Sequence, residues 1–352
     1  MVSPQSGPGK APTPPARAPR VTAADVAAKA GVSTATVSLV ANGKTSGRVS
    51  AEIAARVAEA ISELGYVVDS AGSSLATGAG NFVILIAPDI SNAFYSQVIT
   101  GIRAAIGPDY QLLLSVTGNG RFPAVRDVRK LLALRPAGLL VDAPSEQFLA
   151  ELAATGPLVL LDAPGSGGTA PRVNFDVEAG AAELAGHLAA CGHRTVAYLD
   201  SVTGTQTFQA RRRAFRATAE QLGIRVLDGA IPSTTIDLGG AAEAFAAAWP
   251  QLAATGVTAV ACATDTQAFG VLQAARKLGL AVPGALAVTG FDDLAFSGSS
   301  DPGLTTVRIP AAALGEAAGN QLKTLLAGRA PTRTLINLAT ELVIRESTGL
   351  RT

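Results

Sequence analysis

The sequence predicts an α/β protein in which a small N-terminal unit of three helices precedes a larger domain built on parallel β-sheet. Three observations carry this. Residues 21–65 hold three capped helical segments with no strand-like run between them. Beyond residue 80, short β-rich runs alternate with Ala-rich helical stretches, the pattern of βαβ units. The chain has 352 residues, 48% hydrophobic and 16% charged, enough for two or three domains with substantial cores and unlike the balance of a disordered chain.

Residues 1–20 carry six Pro together with Lys10, Arg17 and Arg20, and no apolar stretch of the length a secretory signal needs. We read them as a disordered, Pro-rich arm of a cytoplasmic protein. Thr22 and Asp25 form a capping box that starts a first helix, which Gly31 ends. Ser33 then caps a second helix, Thr34–Ala41, so soon after the first that the two must meet at a steep angle. Ser50 caps a third, which places Ile53, Val57, Ile61 and Leu64 on one stripe before Gly65 stops it. That stripe can close the other two helices over a small core.

In the second region the expected strands are Phe82–Ala87, Gln111–Val116, Gly138–Val141, Leu158–Leu161, Thr195–Leu199, Ala259–Ala263 and Leu286–Thr289. Open α/β sheets bind ligands just past the carboxyl ends of their strands. There the sequence places Asp89, Asp142, Asp162, Asp200, Asp265 and Asp292. Some of these carboxylates can simply cap the helix that follows, and Asp265 reads as such a cap. Together, beside Phe94 and Tyr95, they suit a polyhydroxylated ligand: carboxylates accept hydroxyl hydrogen bonds while a ring packs the apolar face.

Composition excludes several classes of function. The two Cys, Cys191 and Cys262, are far apart and form no CxxC, so neither a disulfide framework nor a thiolate metal site is implied. With His187 and His193 the only histidines, a His-ligated metal or a histidine-centred acid/base reaction lacks raw material. We expect no cofactor, no metal and no enzymatic activity. No apolar run approaches the roughly 18 residues of a membrane span. Residues 1–80 hold seven basic against five acidic residues and the remainder 21 against 22, a split too mild to identify a nucleic-acid binder by charge alone.

The residues themselves resemble a known family. VTAADVAAKAGVSTATVSLVANG, VSAEIAARVAEAISELGY, NFVILIAPDISNAFYSQVITGI, VNFDVEAGAAELAGHLAACGHRTVAYL, GLAVPGALAVTGFDD, LTTVRIP and LVIRESTG follow, in order, the LacI/GalR family of transcriptional repressors over residues 21–350. The resemblance implies a helix-turn-helix DNA-binding domain at 21–67 and a hinge at 68–79. A two-lobed periplasmic-binding-protein-like domain of doubly wound parallel sheet then follows at 80–352, binding effector and dimerising. The implied partners are double-stranded operator DNA, a sugar-like effector and a second copy of the chain, with no membrane.

In such proteins the second helix of the helix-turn-helix lies in the major groove. This places Thr34, Ala35 and Leu39 at the bases, with Thr36, Ser38 and Asn42 bonding phosphates or holding the helix. Val37 and Val40 are core, and Leu39 is either a base contact or core. Many members carry Arg where this chain has Leu39, so the operator should depart from the family's common half-site there. Leu75 is the implied hinge wedge in the minor groove. Gly72, where the family has Ala, should make that hinge harder to fold.

The resemblance brings Asp89, Phe94, Tyr95, Asp142, Asp162, Arg211, Thr264 and Asp292 to the effector cleft. Arg211 is either a fork for the ligand or part of a solvated face with Arg212 and Arg213. Ala163 and Thr264 stand where many members have Arg and Asn. The sequence stops soon after LVIRESTG, without a heptad tail, which favours a dimer over a tetramer. Two other readings remain open here: a sugar-sensing or solute-binding protein that no longer binds DNA, and an enzyme using the carboxylate-rich cleft.

Overall fold

A computed structural model describes residues 21–67, 80–88, 90, 92–116, 123–152, 156–165 and 168–349. The chain divides into two compact units, Met1–Ala76 and Thr77–Thr352. The hinge expected at 68–79, with Leu75, lies outside the described residues, as do Asp89 and the arm at 1–20.

The first unit contains α1 (Ala23–Ala30), α2 (Thr34–Ala41) and α3 (Ala51–Leu64). Each begins at a side-chain cap. Thr22 and Asp25 form the reciprocal capping box, Ser33 Oγ accepts from the Thr36 amide at 3.2 Å, and Ser50 Oγ accepts from Ile53 at 3.3 Å. These oxygens satisfy amides that the first helical turn leaves unpaired. Gly31 and Gly65 end α1 and α3 in the left-handed conformation, at φ of 64° and 62°, which glycine adopts without a Cβ clash. Val26, Val37 and Val57, one from each helix, are completely buried at the centre. Val40, Ile53, Ile61 and Leu64 pack around them. Arg56 of α3 donates to the Ala30 carbonyl at 3.0 Å, tying α3 to the end of α1.

The second unit contains two parallel sheets. The first joins β1 (Phe82–Ala87), β2 (Gln111–Val116), β3 (Gly138–Asp142), β4 (Leu158–Leu161), β5 (Arg172–Phe175) and β11 (Leu335–Leu338), in the order β11-β5-β4-β3-β1-β2. The second joins β6 (Thr195–Leu199), β7 (Arg225–Asp228), β8 (Ala259–Cys262) and β9 (Ala287–Thr289), in the order β7-β6-β8-β9. A short antiparallel pair, β10 (Thr306–Arg308) with β12 (Glu341–Val343), accompanies the chain's return to the first sheet. Helices α4 (Phe94–Ile106), α5 (Val125–Leu132), α6 (Glu146–Leu152), α7 (Val177–Ala190), α8 (Gln206–Gln221), α9 (Leu238–Ala254), α10 (Asp265–Lys277) and α11 (Ala311–Leu326) connect and cover the strands. Strands such as Val83–Ala87 and Ala259–Cys262 are buried throughout, as a sheet covered on both faces requires.

The fold class matches the expectation, while several strands were not anticipated. β5, β7, β10, β11 and β12 are three or four residues long, and Arg172, Asn174, Arg225, Asp228, Arg308 and Asn337 interrupt their apolar runs. Within the first lobe α4 and α11 approach backbone to backbone. A Cβ added to Gly101 would lie 2.0 Å from the Ala312 carbonyl oxygen, and one added to Gly315 would lie 2.1 Å from that of Val98.

Candidate functional site

The carboxyl ends of strands from both sheets open onto one cleft holding about 580 Å3 of space, its mouth included. β3 ends on Asp142, and Asp162 follows β4 directly. Asp142 pairs with Leu161 in the parallel register, so Asp162 stands one residue further along at the end of the neighbouring strand. Asp292 enters from beyond β9 and Arg211 from α8, so both lobes contribute. Phe94 and Tyr95, at the start of α4, supply rings whose centroids lie 4.8 Å apart. Ala143, Asp162 and Asp292 hold positive φ of 45°, 45° and 127°, conformations that cost about 1–3 kcal/mol each and concentrate at functional sites.

The polar contacts are specific. Tyr95 donates its hydroxyl to Asp142 Oδ2 at 2.6 Å, and Asn92 donates to Asp292 Oδ2 at 3.1 Å. The Phe94 amide donates to Asn92 Oδ1 at 3.2 Å, and Thr207 donates to the Asp162 carbonyl at 3.1 Å. Arg211 is 4% exposed. It donates to the Ala263 carbonyl, stacks over the Phe291 ring at 3.6 Å and stands 4.0 Å from Asp292 Oδ1. This decides the alternative left open by the sequence: Arg211 points into the cleft, whereas Arg212 and Arg213 pair with Asp200 and Glu178 on more exposed ground. Asp142 Oδ1, Asp162 Oδ1 and Arg211 Nε are buried without a hydrogen-bond partner.

Two expectations are corrected. Thr264 does not line the cleft; it is completely buried as the cap of α10, accepting from the Gln267 amide at 3.2 Å. Asp265 is therefore the first residue inside the helix and not its cap. Its carboxylate accepts from the Leu294 amide at 2.8 Å and from the hydroxyls of Ser297 and Thr306, both at 2.5 Å. Asp200 likewise pairs with Arg212 at 3.0 Å, outside the lining. Of the strand-end carboxylates described, Asp142, Asp162 and Asp292 converge. Asn92, Phe175, Thr207, Phe208 and Ile309 also line the cleft and were not anticipated. Phe175 was missed with its strand, while Asn92, two residues before Phe94, had a legible signal in its place past the end of β1.

Burial raises the Asp142 carboxyl to about 8, with the Asp162 charge adding and the Tyr95 hydroxyl opposing. Burial raises Asp162 to about 6 against the pull of Arg211, and Asp292 to about 7 against the same guanidinium. From the ordinary value of 3.8 up to these values the folded chain holds protons that the unfolded chain has released. Stability therefore falls as pH rises through this window, and above about 8 the decline from these groups ends. The melting temperature of the full chain should drop between pH 5 and pH 8, and less steeply in Asp142→Asn. An identical slope in the two proteins would contradict this.

In the first unit Thr34, Ala35, Ser38 and Asn42 of the α2 segment are exposed, and Thr36 and Leu39 are half-buried. Leu39 lies outside the core cluster that holds Val37 and Val40. Asn42 donates to the Ser38 carbonyl at 2.8 Å, and the Thr36 and Ser33 hydroxyls are 3.0 Å apart, so these side chains brace the helix. Among the described residues no helix is long and apolar enough to cross a membrane, and no group of three or more His, Cys, Asp or Glu could hold a metal ion.

The model of bacterial regulatory proteins of the lacI family matches residues 22–69, and that of a periplasmic binding protein-like domain matches 185–348. The HTH-type transcriptional regulator GntR of Pseudomonas aeruginosa is 32% identical over 342 residues, covering 94% of this chain and 96% of that protein. The lac repressor dimer solved with operator and the anti-inducer ONPF shares 25% identity over 94% of this chain and all of that one, with a TM-score of 0.76. The complex of the transcriptional regulator CelR with cellobiose shares 25% identity over 93% of this chain and all of its own, with a TM-score of 0.66. A three-helix unit with an exposed second helix, ahead of two parallel-sheet lobes around a polar cleft, thus has full-length relatives: the chain belongs to the lacI family of bacterial regulatory proteins and is a DNA-binding transcriptional regulator.

Proposed function

We propose that this regulator is a cytoplasmic repressor that binds a palindromic operator as a dimer and responds to a polyhydroxylated, sugar-like effector held between its lobes, without catalysing a reaction. The observation that carries the effector reading is the convergence of Asp142, Asp162, Asp292 and Arg211 on one cleft walled by Phe94 and Phe175. Carboxylates and a guanidinium supply acceptors and donors for hydroxyls, and the rings supply an apolar wall. Cellobiose on CelR and operator on the lac repressor dimer support the same assignment. Residues 21–67 would read DNA, 68–79 would form the hinge with Leu75 as its wedge, and 80–352 would sense the effector and dimerise.

Thr34, Ala35 and Leu39 would face the bases, with Thr36, Ser38 and Asn42 positioning α2 on the backbone. Leucine offers only apolar contact, such as with a thymine methyl, whereas arginine bonds guanine through two hydrogen bonds. Leu39→Arg should therefore shift the preferred base at one symmetric pair of positions toward guanine, by about 1–3 kcal/mol per contact. Unaltered preference would remove Leu39 from the reading surface. The wider test is selection of bound duplexes from a random pool by the purified chain at two salt concentrations, since nonspecific phosphate binding falls steeply with salt. A palindrome that persists at the higher salt is expected; enrichment of no sequence would overturn operator binding.

A further inference from the structure

We propose that the cleft selects an amine-bearing polyol over its neutral counterpart, seating the ammonium between Asp142 Oδ1 and Asp162 Oδ1. This rests on the reading of the cleft as an effector site and names the class of ligand.

Among the described residues three carboxyls line the cleft, and Arg211 is the one cation that does so. Arg211 donates to the Ala263 carbonyl, lies on the Phe291 face and stands near Asp292 with its Nε unpartnered, and its charge bears on Asp162 and Asp292 but not on Asp142. Asp142 is 2% exposed. One of its oxygens accepts from Tyr95, and the other, together with Asp162 Oδ1, is buried without a partner. Both residues line the cavity from the ends of adjacent parallel strands, close enough for the Asp162 charge to act on Asp142.

A buried carboxylate is costly unless it is both paired and hydrogen-bonded. A ligand hydroxyl can donate one hydrogen bond to such a pair but brings no charge. An ammonium brings three N–H donors, and its positive charge can take the place of the proton that keeps Asp142 neutral. Asp292 already has Asn92 and the Arg211 guanidinium beside it, which suits the ligand's remaining hydroxyls.

The proton economy agrees. Burial and the neighbouring acid hold Asp142 protonated at neutral pH. The groups facing it are Tyr95 of α4 and Asp162 beyond β4, with Arg211 of α8 nearest Asp162 and Asp292. Binding of an already protonated amine would replace that proton, which leaves to the buffer, so charge in the cleft is conserved.

The test is calorimetry on the full chain at pH 7 with matched probes: glucose and glucosamine, galactose and galactosamine, mannose and mannosamine. In at least one pair the amine should bind at least tenfold tighter, with proton release on changing the buffer's ionisation enthalpy. In Asp142→Asn that margin should shrink below twofold. A thermal melt and an unchanged circular-dichroism spectrum would show that the variant is folded. Neutral sugars binding as tightly as their amines, or a margin that survives Asp142→Asn, would overturn the inference while leaving the polyol reading in place. Binding of none of the six would overturn that reading and the inference with it.

Discussion

Gly315→Ala is expected to destabilise the second unit by about 3 kcal/mol, at the upper end of what an added methyl costs in a packed core. The new Cβ would lie 2.1 Å from the Val98 carbonyl oxygen, 2.9 Å from its carbon and 3.0 Å from the Ile102 amide nitrogen. These are backbone atoms of α4, which cannot rotate aside as a side chain would. α4 and α11 must separate, and Phe94 and Tyr95 at the head of α4 would move with it. Gly186→Ala provides the contrast. Gly186 is interior to α7 and a Cβ there meets nothing within 4 Å, so the same change should stabilise by roughly 0.4–1 kcal/mol. Thermal or urea unfolding of the two variants checks the pair. Equal effects would mean that α4 and α11 do not pack backbone to backbone.

Asp292→Gly should abolish the effector response while leaving operator binding intact. Glycine is the appropriate replacement because Asp292 holds φ of 127°, where an alanine would add backbone strain to the loss of the carboxylate. The substitution leaves Arg211 buried without its nearby counter-charge and takes the acceptor from Asn92. Where a ligand hydroxyl or ammonium bonds the Asp292 carboxylate, a hydrogen bond to a charged group worth about 1.5–3 kcal/mol is lost, roughly a 10-fold or greater loss of effector affinity. Calorimetry gives the affinity, and titration of labelled operator gives the DNA side. A variant that still responds to effector would remove Asp292 from the site.

Local chemistry made much of this structure legible. Thr22, Ser33 and Ser50 marked their helix starts because a cap is decided by residues within one turn, and Gly31 and Gly65 marked their ends for the same reason. The strands at Phe82–Ala87, Gln111–Val116, Leu158–Leu161 and Thr195–Leu199 were bounded by their own apolar runs. Those such as β5, held in place by pairing with β4 and β11, carry too little apolar pattern to declare themselves.

Strand-end position told where the carboxylates emerge but not where they point. Asp142, Asp162 and Asp292 turn into the cleft. Asp265, one residue past the true cap, is instead taken up by Leu294, Ser297 and Thr306, 29 to 41 residues away in sequence. Thr264 was misplaced for the related reason that its hydroxyl is used locally, by the Gln267 amide. Partners so distant in sequence leave no mark on periodicity or spacing.

Occupancy of the cleft is expected to control the hold on DNA, and linkage makes the effect reciprocal. The most direct test is operator affinity of the unmodified chain, measured with and without a saturating amount of the tightest-binding sugar from the matched panel. A change of about 5–150-fold is expected, the usual range for coupled sites. Operator affinity that stays the same with the cleft demonstrably filled would contradict it.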